Sequence, residues 1–290
     1  MRSVCLYSSY FEKPVIPYYV KFYLENLLPH FSEIIFLTNE KALNDESLAY
    51  LTEKNIRLMY VKNEGWDFGM WYKGLKQIDV KVYDRIGLIN DSCVLFTSAQ
   101  PFFDWLDING LDYCGMLDSN AIDYHIQSYF IIINKNAIVT AADYFDRHGI
   151  ITDLKKTIHT YEIGLSQHMI HNGFEVGALH STKLYKGEFS PTYYMPEELI
   201  RNGLPLIKKK IIACSFRDDE QRNLMRMRYK MDPRYYISLI RAKYKDDATL
   251  IDLKQIEPKR NLSFHWCMLK YNIRFFFFQV FRKFKFLKPA

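Results

Sequence analysis

The fold turns on residues 83–98, YDRIGLINDSCVLFTS. Residues 85–89 form a short apolar run that ends in the polar triplet Asn90-Asp91-Ser92. A run of that length does not by itself separate a strand from a buried helix. Its isoleucines and the polar triplet that closes it favour a strand. The triplet then stands where the strand leaves an α/β sheet. Open α/β sheets bind ligands beyond the carboxyl ends of their strands. A carboxylate placed there, Asp91, can hold a metal-bound diphosphate or accept from a sugar hydroxyl. The same residue types also build ordinary turns, and the triplet alone reads more readily as one.

Upstream, residues 3–8, 33–38 and 56–61 read as strands, and residues 18–28 and 44–54 as helices. Val20, Tyr23, Leu24 and Leu27 fall on one face of the first helix. Pro29 stops it, and Asn44 is placed to cap the second. Strands alternating with helices of this length indicate βαβ units, hence a mainly parallel sheet with right-handed crossovers.

Asn63-Glu64-Gly65-Trp66-Asp67-Phe68-Gly69 follows the third strand and opens a helix running to about residue 78. The two glycines allow a tight turn and close approach of the backbone to a ligand. The helix start offers N–H groups to a phosphate. Asp67 is there either as a cap or as a ligand-binding carboxylate. Neither the dinucleotide fingerprint nor a Walker loop is present, which argues against a nicotinamide-dependent enzyme on the same sheet.

Downstream, Pro101 opens a helix over 101–106, and residues 113–117 and 128–133 read as strands. A helix over 136–147 ends at Gly149. Residues 160–166, TYEIGLS, open a helix reaching 172, and residues 175–179 form the last strand of the core. His168 and His171 share a face of that helix, but with no third ligand in register they read as ordinary histidines. His180, at the end of the last strand, is better placed as a metal ligand, though a structural role is the commoner one. A short helix over 196–201 stops at Gly203.

The chain of 290 residues suits one large α/β domain with an appendage. The five cysteines, Cys5, Cys93, Cys114, Cys214 and Cys267, are scattered, with no C-x-x-C spacing. They read as reduced thiols of a cytosolic protein rather than a disulfide framework or zinc site. The first residues enter a strand directly, with no charged-then-apolar leader, and no run is long and apolar enough to span a membrane. Charge is divided unevenly. Residues 1–207 hold 18 Lys+Arg against 25 Asp+Glu, a net of −7, and residues 208–290 hold 21 against 8, a net of +13. The C-terminal part is therefore expected to meet something anionic. No helix-turn-helix, RNA-recognition or zinc module accompanies it, which argues against nucleic acid.

Taken in order, several motifs resemble the rhamnan synthesis protein F family of bacterial polysaccharide glycosyltransferases. They are Asn63-Glu64-Gly65-Trp66-Asp67-Phe68-Gly69, then Leu88-Ile89-Asn90-Asp91-Ser92, then Ser128-Tyr129-Phe130. Tyr161-Glu162-Ile163-Gly164-Leu165-Ser166 follows, and the set closes with Pro191-Thr192, Glu198-Leu199-Ile200 and Pro205-Leu206-Ile207-Lys208-Lys209. These motifs lie between about residues 60 and 212 and leave the basic C-terminal segment uncovered. The resemblance implies a GT-A-like (Rossmann-like) α/β domain over residues 1–215, a mainly parallel sheet flanked by helices. A basic, aromatic-rich helical extension would occupy 216–290.

It further implies transfer of an activated sugar, such as L-rhamnose or another deoxyhexose, onto a cell-surface or lipid-linked glycan such as lipopolysaccharide. A non-catalytic scaffold that binds sugar nucleotides or glycans is the alternative. The donor site would comprise Asn63, Gly65, Asp67, Gly69, Asn90, Asp91 and Ser92. Asp91 would serve the diphosphate or its metal, with His180 a second candidate ligand. GT-A enzymes usually carry Asp-x-Asp where this chain has Asn90-Asp91-Ser92. Mg²⁺ or Mn²⁺ would suit a carboxylate and diphosphate oxygens, and metal-independent transfer stays open beside it. Glu162 is the expected general base, since an inverting transfer needs one carboxylate on the acceptor side. A first-turn Glu offsetting the helix dipole is an equally good reading of it.

Residues 264–290 join seven late phenylalanines, Phe275 to Phe286, with bases and no acid. They suit an interfacial segment on an anionic membrane, or a cluster packed back on the domain. The expected location is the cytoplasm, at the inner face of the cell membrane.

Overall fold

The computed structural model describes residues 1–10, 13–39, 42–182, 192, 196–209, 211–212, 238–241 and 243. The expectations for residues 264–290, Cys214 and Cys267 lie outside them.

Strands β1 (Ser3–Ser9), β2 (Glu33–Thr38), β3 (Arg57–Tyr60) and β4 (Arg85–Asn90) alternate with helices α1 (Tyr18–Leu27), α2 (Asp45–Glu53) and α3 (Trp66–Leu75). All four strands are parallel, in the order β3-β2-β1-β4. A short β5 (Cys93–Leu95) follows β4, then α4 (Gln100–Asn109), β6 (Tyr113–Ser119), β7 (His125–Ile126) and β8 (Phe130–Asn134). β8 enters the sheet between β4 and β6 and is antiparallel to both. β9 (Val176–His180) runs parallel to β6, and β7 pairs antiparallel with the far end of β6. The architecture is a mixed, mostly parallel sheet flanked by helices.

Alternation along the strands explains the layering. On β1, Cys5 and Tyr7 join one core with α1, α2 and α4, while Val4 and Leu6 join the other with α3 and α5 (Lys135–His148). On β8, Phe130 and Ile132 face the first core and Ile131 and Ile133 the second. Successive side chains of a strand point to opposite faces, so a sheet covered on both sides buries every residue. β1 and β4 are buried along their whole length.

The helix boundaries follow local chemistry. The Asn44 side chain accepts from Ser47 N–H at 3.0 Å and caps α2. Gly149, with φ +60°, closes α5, and its N–H donates to the Phe145 carbonyl. α8 (Pro196–Arg201) leads into β10 (Leu206–Lys208), which pairs antiparallel with β5 to form a separate two-stranded sheet. That pairing folds a late segment back over the end of β4. Part of the basic extension also packs on the domain: Ile240 is fully buried in the first core, and the Lys243 ammonium lies 4.2 Å from the centre of the Phe22 ring.

Glu162 does not open a helix as the sequence suggested. The helix begins with α6 (Leu154–Thr157), capped by the Asp153 side chain accepting from Lys156 N–H. It continues through a π-helical turn over Ile158–Ile163 into α7 (Gly164–His171). Glu162 sits inside the π turn, so offsetting the dipole of a first turn is not its role. Aromatic packing accounts for the irregularity. Tyr161 is buried and stacked against Phe68 and Phe145, with ring centroids 5.1 and 5.0 Å away, and its hydroxyl donates to the Gly149 carbonyl. The Thr160 carbonyl accepts from the Tyr144 hydroxyl at 2.7 Å. A side chain at Gly164 would collide with that hydroxyl, 2.6 Å from where a Cβ would sit.

Candidate active site

The carboxyl ends of β1 and β4 lie side by side, with Ser8 in register with Asn90. Asp67, in the first turn of α3, is drawn to both. Its carboxylate accepts from the Ser8 hydroxyl at 3.0 Å and from the Asn90 side-chain amide at 2.8 Å. The Asn90 side-chain oxygen Oδ1 accepts from Ser92 N–H at 3.0 Å. Asn90 thus makes the turn that its residue type suggested and also fixes Asp67.

Asp91 stands on the first residue of that turn, with its N–H donating to the Ser8 carbonyl at 3.2 Å. Its carboxylate accepts from the Lys209 ammonium at 2.8 Å and the Tyr19 hydroxyl at 3.4 Å. Lys208 donates to the Ser92 hydroxyl at 3.3 Å, and its ammonium lies 4.5 Å from the centre of the Tyr129 ring. The β5–β10 pairing delivers both lysines, since Lys208 is in register with Cys93 and Lys209 N–H donates to the Ser92 carbonyl.

The electrostatics follow from this crowding. Burial pushes the Asp67 carboxyl up to about 6, and the neighbouring Asp91 charge adds to the rise. The Ser8 hydrogen bond and the two lysines pull the other way. Burial opposes the charge on Lys209, but Asp91 and Tyr19 outweigh it and hold the ammonium above its ordinary range. The Asp67 shift has a definite sign. A carboxyl raised in the folded state favours folding below its unfolded value of about 4 and loses that contribution as pH climbs through 6. Urea melts of wild type and Asp67→Asn between pH 4 and 7 test this, with wild type expected to lose stability relative to the variant as pH rises. Parallel pH profiles would contradict it.

The other residues expected at the site are dispersed. Asn63 is exposed in the loop before α3. Gly65 and Gly69 are each required by close internal packing. Gly65 has φ +79° and lies against Ile150 and the Ile151 carbonyl, and a Cβ on Gly69 would fall 1.8 Å from the Glu64 carbonyl oxygen. The Glu162 charge is felt at Tyr129: burial raises the Tyr129 phenol, and the charges of Cys93, Glu162 and Asp118 reinforce the effect. The Ser166 hydroxyl ties the turn down, donating to the Glu162 carbonyl and accepting from Ile126 N–H.

His180 ends β9, three strand positions from β4 across β8 and β6. At about 4.8 Å per strand that is about 14 Å, so the backbone does not bring His180 and Asp91 together on one ion. Burial lowers the His180 imidazole, and the Gly203 backbone works against that shift. Among the described residues no three His, Cys, Asp or Glu side chains gather to hold a metal. Both Asp67 oxygens and one Asp91 oxygen are already engaged by protein donors. An ammonium 2.8 Å from Asp91 would also repel a second cation there. The described residues therefore do not fit a resident divalent ion.

Sequence reasoning passed over Ser8, Tyr19, Tyr129, Lys208 and Lys209 as site residues. The lysine pair closes a motif that had been quoted for its resemblance, and this was the signal that could have found it.

A model described as rhamnan synthesis protein F matches residues 34–263, extending into the basic segment. The virulence protein VirA of Vibrio anguillarum (strain ATCC 68554 / 775) is 25% identical, over 52% of this chain and 60% of its own. The chain thus spans about 60% of the length of the curated relatives it matches. Among solved structures, a cytidylyltransferase from Leptospira borgpetersenii serovar Hardjo-bovis (strain JB197) is 12% identical with a TM-score of 0.42, covering 90% of this chain and 100% of its own. A glucosyl-3-phosphoglycerate synthase from Mycobacterium tuberculosis, in complex with Mn²⁺, uridine diphosphate and phosphoglyceric acid, is 10% identical with a TM-score of 0.33, covering 52% and 66%.

Proposed function

The chain belongs to the rhamnan synthesis protein F family, and from that premise we propose that it is a glycosyltransferase. It moves a sugar, L-rhamnose or another deoxyhexose, from a nucleoside-diphosphate donor onto a cell-surface polysaccharide or lipid-linked glycan. The observation that carries the reading is the set of charged groups at the carboxyl ends of β1 and β4. Asp67, Asp91, Lys208 and Lys209 converge where an open α/β sheet receives its ligand.

In this reading the donor diphosphate lies over the Asp91 turn. The bond from the anomeric carbon to the diphosphate oxygen breaks, and its electron pair leaves with the nucleoside diphosphate. The acceptor hydroxyl oxygen bonds to the anomeric carbon and gives its proton to Glu162. Glu162 is half-buried in the π turn, and its charge reaches the Tyr129 phenol, whose ring also carries the Lys208 ammonium, which supports an acceptor-side role near the donor lysines.

A thermal-shift panel of nucleoside diphosphosugars tests the proposal, because a ligand that binds only the folded state raises apparent stability. One sugar nucleotide should stabilise the protein and be consumed when a glycan acceptor is added. Stabilisation without turnover would favour the non-catalytic scaffold. Among the described residues no helix is long and apolar enough to cross a membrane. Contact with an anionic membrane through residues 264–290 completes the proposal. Flotation on anionic liposomes, compared with a chain ending near residue 261, tests it, and equal flotation would remove the contact.

A further inference from the structure

We infer that Lys209 and Lys208 form the cation that receives the donor diphosphate, in the place a divalent metal takes beside an Asp-x-Asp motif. The inference rests on the donor reading above and specifies its chemistry. Two ammonium groups bring the same formal charge as one divalent ion, Lys209 directly to Asp91 and Lys208 to the adjacent Ser92 hydroxyl. Their placement is built into the fold. The β5–β10 ladder sets Lys208 beside Ser92, and Lys209 N–H is held by the Ser92 carbonyl. Lys209 spends two of its three donors on Asp91 and Tyr19. Asp91 is 10% exposed and Lys209 19%, so the pair is shielded but not sealed from solvent. A lysine is a compact point charge suited to phosphate oxygens. The carboxylate of Asp91 then aims an ammonium rather than a metal.

A merely structural ion pair would have the same geometry, so the test must separate the two. Full-length protein is titrated calorimetrically with UDP, dTDP, GDP and CDP, once in EDTA and once with Mn²⁺ or Mg²⁺. The expected result is binding of at least one nucleotide with a Kd that EDTA changes by less than about twofold. Lys209→Gln should weaken it about tenfold or more, the loss expected for a charge-assisted hydrogen bond. Lys208→Gln should weaken it in the same direction. Lys209→Arg should restore part of the affinity.

Because Lys209→Gln leaves Asp91 without its cation, the double variant Asp91→Asn/Lys209→Gln is measured beside it. This variant removes the ion pair while keeping the shapes. Wild-type affinity in a folded double variant would overturn the inference and leave Lys209 a structural partner. Binding that appears only with added metal would overturn it too, while leaving the donor reading intact. No binding of any nucleotide under either condition would overturn the donor reading itself, and the inference with it.

Discussion

Asp91→Ala is expected to destabilise the protein by about 2–3 kcal/mol and to abolish its stabilisation by sugar nucleotides. Removing one member of a buried ion pair costs about 3–5 kcal/mol, because the remaining charge stays desolvated without a partner. The Asp91–Lys209 pair keeps some exposure, 10% and 19%, which moves the expectation to the bottom of that range and below it. The stranded group is the Lys209 ammonium, left with Tyr19 as its hydrogen-bond acceptor. Asp91→Asn should cost less, since its amide oxygen can still accept from Lys209. Urea denaturation reads the stability and the thermal-shift panel reads the binding. If Asp91→Ala melts like wild type, Lys209 reaches water unaided and the pair does not organise the site. If stability falls but nucleotide binding persists, Asp91 is structural only.

The expectation rests on a contact that spans 118 positions of sequence, and this distance explains what the sequence could and could not disclose. The parallel half of the sheet was legible because each element carries its own signal. Residues 85–89 end in a polar triplet, Asn44 caps its helix, and Gly149 stops another. The Asp67–Asn90 pairing was half-legible, since both residues stood at predicted strand or helix ends. Strand direction was not legible. The run 128–133 announces a strand through its isoleucines, but nothing local says that β8 enters antiparallel between β4 and β6. β5 and β10 span three residues each, too short for period-two alternation to register. Gly65 and Gly69 were read as granting access to a ligand. A glycine required by a neighbouring carbonyl leaves the same mark in a sequence as one required by a phosphate.

Glu162→Gln is expected to leave donor binding and stability near wild type while transfer falls by about 10²–10⁴-fold, the range for losing a general base. The π turn is what gives this residue its setting. π-helical turns are rare and recur at functional sites, where the extra residue re-aims the side chains around it. Here the turn is fixed from both sides. Tyr161 is clamped between Phe68 and Phe145, and Ser166 links the Glu162 carbonyl to Ile126 on β7. Glutamine keeps the size of the side chain and its backbone contacts, so the turn should survive and only the proton acceptor is lost. Transfer measured at saturating donor, with binding measured separately, divides the two effects. Unchanged turnover would remove Glu162 from the chemistry and leave the π turn as a packing device around Tyr161. A parallel loss of donor binding and turnover would instead place Glu162 on the donor side, against the acceptor-side role proposed for it. A selective loss of turnover would place the acceptor side of the site at the π turn.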